Sequence, residues 1–229
     1  MNEYFKTKKS NTKLLCRYAE PRDFEKLVQI VSWAFLGKPD VESWTTTKEL
    51  ITGIRLNVEQ LEKYYAKSRD LDVLFVLEKV VENTDAANTD NNDNNNNVDG
   101  ASIDNAAKWK PTGEIVGCIE CDRQPTSMDI GELHMLAVDP AYQSDGIGSI
   151  LMNVAERQMS EVWKVKKSIL SIISCREEIF NWYSKSYGYQ REGDDIPFEY
   201  PDLAPKGDQT LGLTFMCKYY NQDDLTQRQ

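Results

Sequence analysis

The sequence predicts a mixed α/β fold, and three observations lead to that prediction. Apolar side chains recur at helical spacing near the start of the chain, β-branched runs bounded by turn residues follow, and strand-like and helix-like segments then alternate. Of the 229 residues, 40% are hydrophobic and 28% are charged, which is typical of globular proteins. This composition argues against collagen, a coiled coil and wholesale disorder.

Pro21 opens the first predicted helix, and Gly37 and Pro39 end it. The buried face repeats at i, i+3, i+4, i+7 and i+11 and is formed by Phe24, Leu27, Val28, Val31 and Phe35. The same kind of spacing predicts a second helix over residues 46–65. Two helices therefore precede or flank the early strands.

Residues 83–105 form an Asn- and Asp-rich tract with almost no large apolar side chains, which cannot repay the entropy cost of ordering. Strand-like runs flank the tract at residues 71–81 and 114–121. We therefore expect a single domain over residues 1–229, with a disordered loop insertion at 83–108 within a hairpin.

The rest of the chain predicts alternating elements. In order they are a strand, a helix, a strand, a helix, a short strand, a loop and a final strand, at residues 130–138, 146–163, 168–174, 176–187, 189–193, 197–206 and 209–219. The first three of these form a βαβ unit, whose two strands should be parallel neighbours. No internal repeat is visible.

The cysteines, the N-terminal segment and the lack of a long apolar stretch predict an intracellular protein. The cysteines are odd in number and their spacing fits no disulfide framework: Cys16, Cys118, Cys121, Cys175 and Cys217. Cys118 and Cys121 should face opposite sides of one strand, which argues against a metal site. The N-terminus lacks the apolar core of a signal peptide, and no apolar stretch approaches the ~18–20 residues of a membrane span. We expect a cytoplasmic location, with the nucleus as an alternative.

The net charge of −10 and the pI near 4.8 argue against nucleic acid as a partner, because no clustered basic face is visible. We expect no membrane partner either. The acidic balance slightly favours a cationic small amine as a ligand, although acidic surfaces more often serve solubility.

A glycine-rich turn follows the strand at 130–138 and opens the next helix. Backbone N–H groups at a helix start lack partners, so this turn predicts an anion site, with Ser149 as an extra donor. Gly146 and Gly148 leave no side chain between the backbone and a ligand. No Lys-Ser/Thr follows and no third glycine lies at Rossmann spacing, so nucleoside triphosphates and dinucleotides are disfavoured.

Residues 130–153 and 176–198 resemble the GNAT superfamily of acetyl-CoA-dependent N-acetyltransferases. In that family an apolar strand precedes Q/R-x-x-G-x-G/A at a helix start, and this sequence reads LAVDPAYQSDGIG there. Arg17 and Asp23 also fit the family's first strand and helix. The resemblance implies a central mixed, mostly antiparallel sheet of about seven strands, flanked by about four helices, with a splayed central strand pair.

The resemblance also implies acetyl-CoA as the co-substrate, with no metal. The pantetheine arm would pair with the strand backbone at Leu136, Ala137 and Val138. The pyrophosphate would rest on the backbone N–H groups around Gln143, Ser144, Asp145, Gly146, Ile147, Gly148 and Ser149. Most members carry Gly, Lys or Arg in place of Asp145, and we expect this carboxylate to point outward into water.

Acetyl transfer needs a base, an oxyanion donor and an acid. Glu132 matches the general-base glutamate of the histone-acetylating branch, and the plain alternative is a strand-end salt bridge. Strand alternation places His134 and Leu136 on the face of Glu132, so that His134 could relay a proton or merely line the cleft. The same alternation places Leu133, Met135 and Ala137 on the opposite face.

The oxyanion donor would be the Val138 N–H, freed where the central strand splays. Tyr183 resembles the helix tyrosine that lies near the cofactor sulfur and would serve as the acid. Its distance to Gly188 is one residue longer than usual, so Tyr187 is the fallback. Core packing is the alternative reading of Tyr183.

The resulting hypothesis is an N-acetyltransferase that moves an acetyl group to a primary amine by direct transfer in a ternary complex. The amine could belong to a small molecule, a polyamine, or a protein lysine or N-terminus. We expect a monomer or a homodimer, and we expect the loop at 197–206 to border the acceptor cleft. The alternative is a non-catalytic module that binds or senses acyl-CoA.

Overall fold

The computed structural model describes residues 2–66, 71–84 and 108–220. Within these ranges the chain forms an eight-stranded sheet, in the order β1-β2-β4-β5-β6-β7-β10-β8, and a separate two-stranded sheet, β3-β9. The strands are β1 (Asn2–Lys6), β2 (Lys13–Tyr18), β3 (Ile51–Gly53), β4 (Asp72–Glu82), β5 (Trp109–Gln124), β6 (Ser127–Val138), β7 (Lys167–Ile173), β8 (Gln190–Pro197), β9 (Leu203–Pro205) and β10 (Gly212–Tyr219). The helices are α1 (Phe24–Leu36), α2 (Val58–Tyr65), α3 (Ile147–Arg157) and α4 (Glu177–Tyr187).

The predicted mixed, mostly antiparallel fold is confirmed. Only β6 and β7 are parallel in the large sheet as described, and they belong to the predicted βαβ unit. The sheet has one strand more than the seven expected. Strand β1 went unrecognised because its five residues carry no clear alternation, and it pairs antiparallel with β2.

The prediction of a helix over 46–65 is wrong in its first half. Residues 51–53 instead form β3, which pairs with β9 some 150 positions later in the chain. Gly53 has a φ of 119°, and its backbone meets Asp202 so closely that a side chain would not fit. The helix starts only after Asn57, whose side chain accepts a hydrogen bond from the Gln60 N–H. The Gln60 side chain in turn accepts from the Asn57 N–H, which completes a capping box.

The helix predicted at 146–163 also ends earlier, as α3 stops at Arg157 and a single π-helical turn (Gln158–Val162) follows. The first helix, α1, agrees closely with its prediction and ends at Gly37 with a φ of 93°. Most of the predicted insertion at 83–108 lies outside the described residues. Its two ends lie together, because the Asn83 N–H donates to the Lys108 carbonyl (2.8 Å).

Two apolar clusters cover the two faces of the sheet. One contains Leu27 of α1 and Leu61 of α2, and the other contains Leu151 of α3 and Phe180 of α4. Cys118 lies in the first cluster and Cys121 in the second, as strand alternation predicts, and all five cysteines are free. No helix in the described ranges is long and apolar enough to cross a membrane.

A buried ionic network anchors β2 to its neighbours. The Arg17 guanidinium donates to both carboxylate oxygens of Asp23 (2.6 and 2.9 Å) and, through Nε, to Glu78 (2.8 Å). The other Glu78 oxygen accepts from the Gly113 N–H (2.6 Å). All three charged side chains are buried, so the network ties together β2, the start of α1, β4 and β5.

Strands β6 and β7 separate along their length, as expected for the splayed central pair. Their pairing covers Ile130, Gly131 and Glu132 against Lys167, Ser168 and Ile169, and it ends there. Beyond Glu132 the edge of β6 turns away from β7. The gap opens at the carboxyl ends of both strands, next to the start of α3.

Candidate active site

A cavity of about 380 Å³ occupies the gap between β6 and β7. Its walls come from both faces of the sheet, because they include Phe35 of α1 as well as Trp182 and Tyr183 of α4. Of the predicted site residues, ten line it: His134, Leu136, Val138, Gln143, Ser144, Gly146, Ile147, Gly148, Ser149 and Tyr183. Glu132, Ala137 and Asp145 do not form its walls.

A β-bulge at Met135 changes the direction of side chains along β6. Met135 has a φ of 49°, and the register against β5 shifts between Glu120–His134 and Cys118–Ala137. The predicted alternation therefore fails past His134. Leu133 and Leu136 both pack on the cluster that contains α3, while Met135 and Ala137 pack on the cluster that contains α1.

The start of α3 forms a cradle of backbone N–H groups. Ser144 and Gly146 both have positive φ angles, 62° and 84°, and Gly146 is a helix N-cap with no side-chain hydrogen bond to the N–H groups that follow. Alternation of left- and right-handed residues turns successive N–H groups toward one point and creates an anion-binding nest. A Cβ at Gly148 would make ordinary van der Waals contact with the Trp182 ring at 3.8 Å, so this ring packs next to the cradle.

The Gln143 side chain fixes the loop that enters the cradle. Its amide donates to the Val138 carbonyl (3.3 Å) and to the Thr45 hydroxyl (3.0 Å), and it accepts from Ser43 (3.2 Å). Trp44, which lies between Ser43 and Thr45 in the sequence, packs edge to face on Trp182 with the ring centroids 6.3 Å apart. The segment after α1 is thereby held against the glycine-rich loop.

The expectation that Asp145 points into water is wrong. Its carboxylate accepts from the backbone N–H groups of Lys9 (2.7 Å) and Ser10 (3.3 Å), and from the Ser10 hydroxyl (2.5 Å). These hydrogen bonds hold the pKa of Asp145 below its ordinary value, although partial burial opposes them. The carboxylate is thus directed to the turn between β1 and β2, and the Lys8 side chain lies next to Gly146.

Near the end of β6, successive residues direct their backbone N–H groups alternately toward β5 and toward the gap. The Asp139 N–H donates to the Val116 carbonyl of β5 (2.9 Å), so the N–H of the preceding residue, Val138, points to the opposite edge, toward β7. Leu136 shares that orientation. Ala137 instead pairs with Cys118 of β5 and is buried.

Glu132 and His134 form a pair on the strand. The His134 Nε2 lies 3.3 Å from the Glu132 carboxylate, which also accepts from the Gln124 amide. The hydrogen bond from His134 lowers the pKa of Glu132 against the effect of burial. Burial lowers the pKa of His134, but the Glu132 hydrogen bond and the charges of Glu120 and Asp122 outweigh it and leave that pKa raised. The histidine lines the cavity, and the glutamate lies behind it.

Sequence reasoning missed Glu120, which faces His134 across the β5–β6 ladder and is buried. A charged residue inside the otherwise apolar run around Cys118 and Cys121 was the signal that could have identified it. Its charge contributes to the raised pKa of His134.

Tyr183 lines the cavity on the α4 side. Among the described residues, its ring contacts Trp182 (4.8 Å) and Tyr189 (5.9 Å) and its hydroxyl makes no hydrogen bond. Burial, with a contribution from Tyr187, raises the pKa of this phenol. The fallback residue Tyr187 is not part of the wall, and its hydroxyl interacts with Ser149.

The other end of the cavity has an aromatic wall that the sequence did not reveal. Phe198, Tyr200 and Leu203 come from the loop expected to border the cleft, and they lie with Phe35 and Arg55. The β3–β9 ladder joins the segment before α2 to this loop and fixes both. The arrangement brings together residues that are far apart in the sequence.

Comparisons with known proteins agree with this geometry. The family described as the acetyltransferase (GNAT) family matches residues 69–189, which is more than half of the chain. No curated protein matches the sequence.

Many solved structures share the fold. An N-acetyltransferase from Staphylococcus aureus Mu50 is 15% identical, covers 90% of this chain and 98% of its own, and has a TM-score of 0.57. An acetyltransferase of the GNAT family from Streptococcus pneumoniae is 20% identical, with 90% and 99% covered and a TM-score of 0.54. A spermidine N-acetyltransferase from Vibrio cholerae, in complex with CoA and spermine, is 15% identical, with 90% and 95% covered and a TM-score of 0.54.

Proposed function

This chain belongs to the GNAT acetyltransferase family and is an acyltransferase, and from that premise we propose that it transfers an acetyl group from acetyl-CoA to a primary amine. The observation that carries this proposal is the cavity between β6 and β7, whose walls come from both faces of the sheet. Such a cavity would let a thioester and an amine approach one point from opposite faces. Direct transfer in a ternary complex therefore needs no covalent intermediate on the protein.

The cradle at the start of α3 supports a place for the cofactor pyrophosphate. The N–H groups from Gln143 to Ser149, with Asp145 turned away, would bind the phosphate oxygens, and the helix dipole adds about 0.3–2 kcal/mol. The backbone of Leu136 and Val138 would pair with the pantetheine amides along the free edge of β6. The thioester would then reach the region of the bulge.

His134 and Glu132 support the removal of the amine proton. The histidine lines the cavity and would accept a proton from the ammonium group at its Nδ1, directly or through water, while Glu132 accepts from the Nε2–H, orients the ring and stabilises its charged form. The amine nitrogen then attacks the thioester carbon. Glu132 thus acts mainly through His134, whereas the sequence alone favoured Glu132 itself as the base.

The remaining groups would complete the transfer. The Val138 N–H points into the gap and would donate to the oxyanion of the tetrahedral intermediate. As the C–S bond breaks, the sulfur takes a proton from the Tyr183 O–H, and the proton that the nitrogen loses as it becomes an amide returns to the phenolate. Tyr183 keeps its proton throughout the neutral range because its pKa is raised, and would donate its O–H to the departing sulfur.

Two measurements test this function against the alternative of an acyl-CoA sensor. Calorimetry with acetyl-CoA should show saturable binding, and a thiol assay over a panel of amines should show CoA release in step with acetylated amine. Saturable binding without thiol release on any amine would favour the sensor. A protein indifferent to acetyl-CoA would overturn both.

A further inference from the structure

The walls of the cavity carry positive charge and no negative charge. Among the described residues that form its walls there is no aspartate or glutamate, whereas Arg55, Arg176 and His134 are present. This contrasts with the net charge of −10 for the whole chain. The nearby carboxylates Glu132 and Glu120 adjoin His134, where the amine would react, and neither is within ion-pair distance of Arg55.

The two arginines differ in what they already bind. Arg176 is buried and donates to the backbone carbonyls of Trp44, Thr45 and Thr46, and it pairs with Glu178. Its donors are therefore used to fasten the segment after α1. It has no structural need for a ligand.

Arg55 has no such partner. The central carbon of its guanidinium lies 4.9 Å from the Phe35 ring centroid and 5.4 Å from that of Tyr200, and the group is half-buried between them. No carboxylate lies within 4.0 Å of it in the described part of the chain. Aromatic faces hold the plane of the guanidinium and leave its N–H edges for an anion.

Arg55 also lies on the side of the sheet opposite the phosphate cradle. Phe35, its neighbour, belongs to α1, whose apolar face packs on one side, whereas the cradle opens α3 on the other side. The guanidinium is therefore placed for the acceptor and not for the pyrophosphate.

Resting on the proposed function, we infer that the acceptor is a primary amine that also carries a carboxylate, namely an amino acid with an apolar or aromatic side chain, and that Arg55 binds the carboxylate. The planar guanidinium matches a carboxylate in a two-bond fork, and the aromatic wall suits the apolar side chain. A polyamine would meet a like charge at Arg55 and find no counter-anion in this wall. The spermine bound by the relative from Vibrio cholerae is thus a poor guide to this cavity.

The test compares acceptors that differ only in the carboxylate. kcat/KM is measured for L-phenylalanine, L-phenylalaninamide, 2-phenylethylamine and spermidine. Of the two phenylalanine analogues, one has a less basic amine than the amino acid and the other a more basic amine, so amine basicity alone cannot explain a preference over both. We expect the amino acid to be favoured by about 10- to 100-fold over both analogues, since a charge-assisted pair supplies that factor. Arg55→Gln should abolish the preference by raising KM for the amino acid alone, and Arg55→Lys should restore part of it.

Arg22→Gln is the matched control, because Arg22 is exposed and its one ion pair among the described residues is with Glu20 near the start of α1. Equal or better turnover of 2-phenylethylamine or spermidine would overturn the inference while leaving acetyl transfer intact. So would an equal loss for all acceptors in Arg55→Gln.

Binding of the reaction product gives a second readout that does not need turnover. Calorimetry on the CoA-loaded protein compares N-acetyl-L-phenylalanine with N-acetyl-2-phenylethylamine. We expect the carboxylate to bind at least 10-fold more tightly, and this difference should vanish in Arg55→Gln. If no amine is acetylated, the proposed function fails, and the binding comparison alone then tests the anion site at Arg55. Equal binding of the two products would overturn that anion site.

Discussion

Asp145 Oδ1 accepts a hydrogen bond from the Lys9 N–H at 2.7 Å, across 136 positions of sequence. This bond joins the phosphate cradle to the turn between β1 and β2, and it brings the aliphatic part of Lys8 against Gly146. A carboxylate that would repel a pyrophosphate is thereby turned away from the cradle and used as a brace. The first strand, which the sequence did not reveal, thus contributes to the geometry of the candidate cofactor site.

Two substitutions of Asp145 distinguish the effect of its hydrogen bonds to the β1–β2 turn, which act as the brace, from the effect of its negative charge. Asp145→Asn keeps an oxygen that can accept from the Lys9 N–H and removes one negative charge near the phosphates, so we expect CoA to bind equally or more tightly. Asp145→Ala removes the brace as well, and we expect the Kd for CoA to rise about 3- to 10-fold, as loss of one or two partly exposed hydrogen bonds implies. Calorimetry measures both. An alanine variant that binds as tightly as the asparagine variant would show that the brace is irrelevant to the cofactor.

The pair of Glu132 and His134 predicts a shift in the pH profile. The base must be neutral to accept a proton, so kcat should rise with pH through the pKa of His134, which lies above its ordinary value. Glu132→Gln removes the charge of Glu132 and weakens its hydrogen bond to His134, while burial still lowers this pKa and Glu120 and Asp122 still raise it, so the acidic limb should move to lower pH and the plateau should fall. His134→Gln should lose about 100-fold or more of kcat with CoA affinity unchanged. Steady-state kinetics at saturating substrates check this.

An acidic limb that stays in place in Glu132→Gln would contradict the coupling of the two residues. The experiment should be run with two acceptors of different amine pKa. The limb that belongs to His134 moves with the variant and not with the acceptor, whereas a limb that belongs to the acceptor does the opposite.

Tyr183 and Tyr187 compete for the role of the acid, and single oxygen deletions distinguish them. Tyr183→Phe keeps the ring contact with Trp182 and removes the hydroxyl of a residue that lines the cavity, so we expect kcat to fall about 10- to 100-fold with little change in melting temperature. Tyr187→Phe removes the interaction with Ser149, which should weaken CoA binding more than it lowers kcat. A larger loss of kcat in Tyr187→Phe than in Tyr183→Phe would reverse the assignment.

Local signals predicted the parts of this fold that depend on neighbours in sequence. The bounds of α1 follow from its apolar spacing and from Gly37, and the parallel pairing of β6 with β7 follows from the succession of elements. The failures depend on distant partners. Residues 51–53 have helical spacing but pair with β9, and Asp145 is held by a turn at the other end of the chain.

The candidate site divides in the same way. The cradle at Gly146 and Gly148 is a continuous motif and was visible in the sequence. The bulge at Met135 was not, because nothing in the local pattern marks a residue with positive φ, and this bulge sends Leu136 and Val138 to the gap. The contact of Arg55 with Tyr200 joins two segments, far apart in sequence, that the β3–β9 ladder brings together.

The ionic network of Arg17 predicts a large loss of stability on truncation. Arg17→Met would leave Asp23 and Glu78 buried without their partner, and removal of one member of a buried ion pair costs about 3–5 kcal/mol of the free energy of unfolding. Arg22→Met is the control, since its pair with Glu20 is exposed and worth at most about 1 kcal/mol. Urea unfolding followed by circular dichroism measures both. Similar losses in the two variants would contradict a structural role for the network.

The insertion at residues 83–108 gives the last prediction, because its two ends already meet. Glu82 pairs with Trp109 and the Asn83 N–H donates to the Lys108 carbonyl, so a turn of two residues, Asn-Gly, can replace residues 84–107 without moving either strand. The tract's composition predicts a flexible loop, and shortening such a loop about tenfold removes roughly 2 kcal/mol of closure entropy. We expect the shortened protein to unfold at a higher temperature and to keep its acetyl transfer and CoA affinity. Loss of activity with the fold intact would instead show that the insertion is needed for the function of the domain. Loss of the fold would contradict the interpretation of the insertion as a loop.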